Sequence, residues 1–158
     1  MKVMVGVARR GAPELLADLN RILPLRSMEL LLVHVIDNGA RGEIDLSRRR
    51  LLPRTMPRHR LHAIQDAERQ AAKAALDEAA AAAEALGALG ETLTADGEPG
   101  PVMSLLAQER GCDLVALRVR EDPRTERAGP HSLGHTARFV SDHSPCPVLL
   151  VRGRPPAR

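Results

Sequence analysis

The sequence predicts an α/β fold, a three-layer α/β/α sandwich built on a doubly wound, five-stranded parallel sheet. Three observations point to it. Short aliphatic runs alternate along the chain with stretches of helical spacing, the order that parallel sheets with right-handed crossovers require. The run at residues 29–36 is apolar almost without a break, as in strands covered on both faces. Finally, Phe139 is the sole aromatic residue, so leucine, valine and alanine must fill the core, which suits thin helices lying close on a sheet.

The first strand is read at residues 3–7, Val-Met-Val-Gly-Val. Pro13 suits the first turn of the helix that follows. Leu15, Leu16, Leu19, Ile22 and Leu23 carry its apolar face until Pro24 stops it. The second strand spans 29–36. Residues 37–59 have no sustained period, and Arg41, Arg48, Arg49, Arg50, Arg54 and Arg58 outnumber Glu43 and Asp45 there. This segment reads as a basic insertion, either solvated or built to meet an anion or a partner.

A long helix is expected from about 59 to 87, with Ile64, Ala67, Ala71, Ala75, Ala79, Ala82 and Leu86 as its inward stripe. Residues 91–95 form the third strand. Gly97-Glu-Pro-Gly-Pro101 turns into a helix with Val102, Leu105 and Leu106 inward and Gly111 as its stop. The fourth strand covers 113–119. A loop rich in proline, glycine and charge leads to about Ser132, a short helix follows, and Val148-Leu149-Leu150-Val151 closes the sheet. Residues 1–152 are expected to make one domain, with 153–158 as a tail.

The bulk properties narrow the function. The chain has 158 residues, 44% of them hydrophobic, and a net charge of +3. Lys2 and Lys73 are the only lysines, so arginine carries the positive charge. No signal-like segment and no membrane-length apolar run occur, so a cytoplasmic protein is expected. Basic loops attract nucleic acid, but a single phenylalanine builds no stacking platform, which argues against such a partner. Cys112 and Cys146 can pair in principle, yet they do not make a secreted disulfide framework. His131, His135, His143 and Cys146 supply metal-ligand types, but Pro130 and Gly134 interrupt their spacing, and no metal is expected. There is no nucleophile elbow, no P-loop lysine and no nucleophile–base spacing, so no catalysis beyond slow nucleotide hydrolysis is anticipated. His34, in an apolar strand, is read as a packed, hydrogen-bonded histidine.

Three stretches together resemble the universal stress protein family over almost the whole chain. They are the early strands ending in His34-Val35-Ile36, then Asp96-Gly97-Glu98-Pro99 leading to Cys112-Asp113-Leu114-Val115, and finally Leu133-Gly134 opening a helix that runs to Ser144-Pro145-Cys146-Pro147-Val148. The resemblance implies the doubly wound sheet and a homodimer formed through the last strand, Val148, Leu149, Leu150 and Val151. An uncovered edge strand gives that dimer an independent reason.

The resemblance also implies a nucleotide crevice, and here the chain departs from the family. ATP-binding members carry Gly, two residues, Gly, nine residues, then Gly-Ser or Gly-Thr, which brings backbone amides to the phosphates. Counting back from Gly134 puts Glu121 and Arg124 where the first glycines belong, and alignment on the fourth strand puts Arg118 and Glu121 there. His135 stands at the hydroxyl position with Thr136 beside it, and Ala8 replaces the adenine-side aspartate. The candidate crevice therefore comprises Ala8, Arg9, Arg10, Val35, Arg118, Arg120, Gly134, His135 and Thr136. Two readings stay open. In one, a regulatory or interaction module does not bind ATP in the family's usual way. In the other, arginines replace the glycine loop in a sensor of a nucleotide or another anion. No cofactor is firmly implied. ATP or another nucleotide, an anionic small molecule and a protein partner all remain open.

Overall fold

In the computed structural model the described residues are 1–37, 58–119 and 133–152, with side chains from 62 onward in the long helix. Five parallel strands, β1 (Lys2–Gly6), β2 (Glu29–Asp37), β3 (Gly90–Gly97), β4 (Leu114–Arg118) and β5 (Val148–Val151), form one sheet in the order β3-β2-β1-β4-β5. Among the described residues four helices cover it: α1 (Ala12–Asn20), α2 (Arg58–Ala85), α3 (Pro99–Glu109) and α4 (His135–His143). A short 3-10 turn at Leu25–Ser27 precedes β2. The expected three-layer α/β/α sandwich is the observed fold.

Side chains alternate across a strand, and the sheet splits the core accordingly. Val3, Val5, Leu30, Leu32 and Ala116 face α1 and α2, packing on Leu15, Leu16, Leu19, Ala75, Ala79 and Ala83. Met4, Leu31, Val33, Val115 and Leu117 face α3 and α4, packing on Met103, Ala107, Ala137 and Val140. β1 and β2 are buried from both sides because helices lie on both, which accounts for their unbroken apolarity.

Three expectations about helix faces need correction. α1 ends at Asn20, where the N–H groups of Ile22 and Leu23 both turn back to the Leu19 carbonyl. Ile22 thereby leaves the helical stripe and is 62% exposed. In α2 the buried positions are Ala72, Ala75, Leu76, Ala79 and Ala83, while Ile64 and Ala67 are exposed. A helix of 28 residues is about 42 Å long, far longer than the strands it covers, so its first half extends past the sheet. In α3 the inward residues are Met103 and Ala107, whereas Leu105 is 55% exposed.

The basic segment read at 37–59 lies outside the described residues except at its ends, where Asp37 closes β2 and Arg58 opens α2. The tail at 153–158 lies outside them too. Among the described residues no helix is long and apolar enough to cross a membrane.

Candidate functional site

The sheet reverses its winding between β1 and β4. The chain leaves β1 for α1 on one face, and the chain that leaves β4 reaches α4 on the other. The carboxyl ends of those two strands therefore open a crevice, the usual ligand position in such sheets.

On the β1 side, Val7 is buried and its N–H donates to the Val33 carbonyl at 2.8 Å. Ala8, Arg9 and Arg10 follow, all exposed. Gly11 caps α1 with φ 85° and ψ 19°, a left-handed conformation that favours glycine. That cap was not among the expected site residues. A glycine directly before Ala12-Pro13 is the signal that marks it.

On the β4 side, Arg118 ends the strand, half-buried, and its guanidinium donates to the Gly11 carbonyl at 3.3 Å. The alternation places Arg118 on the α1 face, so its side chain crosses the switch point. A carboxylate oxygen of Glu14 and the guanidinium of Arg118 lie 3.7 and 3.8 Å from where a Cβ on Gly11 would stand. The threshold of α1 is thus occupied by an acid, an arginine and a closed cap.

The other wall starts at α4. Gly134 precedes α4 with φ 73° and ψ 163°, and an added Cβ there would meet no atom of a described residue within 4 Å. His135, the first helical residue, is exposed, and Thr136 is half-buried. Val35 is half-buried at the end of β2 and packs with the α3–α4 core. Arg120, with Glu121, Asp122 and Arg124, lies outside the described residues.

His34 is buried on the α1–α2 face, and its Nδ1 donates to the Val7 carbonyl at 2.8 Å, in keeping with the packed histidine expected from the sequence. His131 lies outside the described residues. Among those described, no group of three or more His, Cys, Asp or Glu is placed to hold a metal ion.

The structure adds a feature the sequence did not signal. A groove of about 450 Å³ lies between the end of α1 and β5, lined by Asp18, Arg21, Ile22, Leu149, Leu150, Val151 and Arg152. It belongs to the open edge of the sheet. Among the crevice residues described above, none lines it.

A family model described as the universal stress protein family matches residues 1–152. No curated protein matches the chain. Solved structures share the fold at low identity. A universal stress protein from Lactobacillus plantarum is 21% identical with a TM-score of 0.71, covering 96% of this chain and 97% of its own. An Arabidopsis thaliana family member described with AMP bound is 16% identical with a TM-score of 0.64, over 98% and 92%. An Archaeoglobus fulgidus universal stress protein in complex with dAMP is 21% identical with a TM-score of 0.64, over 95% and 96%.

Proposed function

Because the chain belongs to the universal stress protein family, we propose that it acts as a regulatory module that engages a partner and does not hold ATP in the family's usual way. The observation that carries this reading is Arg118, whose side chain reaches from β4 to the Gly11 carbonyl across the point where the crevice opens. A backbone cradle needs glycines that let amides approach phosphate oxygens, and a long side chain spanning the gap opposes such an approach. Glu14 beside Gly11 adds negative charge at the start of α1, where an anion would otherwise be favoured. The proposal gives the chain no catalytic step. Calorimetric titration with Mg-ATP tests it: no saturable heat is expected, and tight, stoichiometric binding overturns the reading.

A second reading is favoured by the room that the described residues leave at Gly134 and by the adenine nucleotides named with two structural relatives. Here the chain senses a nucleotide or another anion through Arg9, Arg10, Arg118 or Arg120. Mass spectrometry of what leaves the freshly purified protein on denaturation tests this reading. A nucleotide or phosphorylated metabolite supports it, and its absence counts against it. Arg118→Ala should abolish that binding if this guanidinium is the donor.

We also propose that two copies pair through β5. The strand ends the sheet with no described strand beside it on the outer side, and exposed Ile22 flanks it across the groove. Pairing with a mate covers both the free backbone groups and this apolar margin.

A further inference from the structure

Cys112 and Cys146 precede neighbouring parallel strands, at the sheet edge opposite the crevice. Val115 is the register partner of Val148, and the Val115 N–H donates to the Pro147 carbonyl at 3.0 Å. Counting back from that pair sets Cys146 opposite Asp113, one residue from Cys112. Both cysteines lie just before their strands, and the ladder's ideal spacing carried back to them gives an α-carbon separation of roughly 6 Å. A disulfide spans α-carbons about 4.4–6.8 Å apart.

The side chains also turn the same way. Cys112 is buried in the core between the sheet and α3–α4, and half-buried Cys146 packs against that same cluster. Burial first, then the Cys146 thiol, raises the pKa of the Cys112 thiol. Cys146 is the more accessible of the two, with its sulfur 3.7 Å from the Ser144 hydroxyl.

We propose that Cys112 and Cys146 form a redox-active dithiol that closes to an intramolecular disulfide by exchange with a low-molecular-weight disulfide. Cys146, its proton given to solvent, attacks one sulfur of the reagent and expels the other half as a thiolate. Cys112, losing its proton in turn, attacks the Cys146 sulfur of the mixed disulfide and releases the second thiolate. The protein loses two electrons and two protons, and the reagent becomes two thiols. The new bond ties the turn before β4 to the turn before β5. It closes a ring that contains β4, Gly134 and α4, so the redox state constrains both the edge strand and one wall of the crevice.

The test uses the full chain equilibrated with mixtures of reduced and oxidised glutathione, quenched with acid and alkylated in denaturant. Intact mass and a non-reducing peptide map give the readout. The expected product is a monomeric chain lighter by two hydrogens, without alkylation, that yields a Cys112–Cys146 cross-linked peptide. Cys146→Ser should leave Cys112 as a free thiol at the same oxidant ratio. A stable glutathione adduct on Cys146, a disulfide between chains, or two alkylatable thiols in full oxidant would overturn the proposal. None of these readouts depends on whether a nucleotide binds.

Discussion

The imidazole of His34 donates to the carbonyl of Val7 across 2.8 Å, joining β2 to the residue that leaves β1 for the crevice. A buried carbonyl without a partner costs about 1–3 kcal/mol. His34→Ala should lower stability by that amount, read as a reduced urea midpoint with an unchanged slope. An unaltered midpoint would show that the bond adds nothing.

Gly100 in α3 lies against Phe139 of α4, and a Cβ on it would stand 2.8 Å from the Phe139 Cβ and Cγ. Those atoms are near the backbone and cannot swing aside, and the ring also stacks on His143 at 4.1 Å. Alanine gains roughly 1 kcal/mol of helix propensity, but overpacking costs about 1–3 kcal/mol. Gly100→Ala is therefore expected to lower Tm, and a raised Tm would refute the close contact.

Burial and the nearby Cys146 sulfur raise the Cys112 thiol above its ordinary pKa of 9.0. Above that pH the unfolded chain ionises its thiol while the folded chain keeps the proton. The associated stability is thus complete below 9.0 and is lost as pH rises through the folded value. In reducing buffer the unfolding free energy should fall more steeply above this pH in the wild type than in Cys112→Ala. Equal slopes would contradict the raised value.

The N–H groups of Val115 and Val119 bond to the carbonyls of Pro147 and Val151. Alternation therefore turns the N–H of Leu150 away from β4, toward the open edge. Light scattering should give twice the 17.1 kDa chain mass. Leu150→Pro removes an outward donor that the β4 ladder does not use, and should give a folded monomer. A monomeric wild type would sink the dimer.

β1, β2, β4 and β5 were legible because their apolar runs are dense and need no partner to be recognised, whereas β3 rests on alternation and its place in the order of elements. The rotation of α2 was not legible. Alanines crowd its second half on every side, so the sequence offers little contrast between faces there, and contact with β2, β3 and α1 selects Ala72 and Ala83 over Ala67. In α3 the same competition buries Met103 and leaves Leu105 outside, since the direction of approach to the sheet decides which side is inward. At the crevice, the loss of glycines could be read directly, whereas the Gly11 carbonyl as Arg118's acceptor could not.

By itself the sequence determined the α/β class, the order of elements and the altered phosphate motif, because periodicity and residue identity are local properties of the chain. Tertiary structure alone decided that Arg118 meets Gly11, that Ile22 lies outside, and that Cys112 and Cys146 share one side of the sheet. The first and last of these depend on β4 being inserted between β1 and β5. That adjacency joins residues far apart in the chain, and it follows from burying both faces of the sheet together, not from any local pattern.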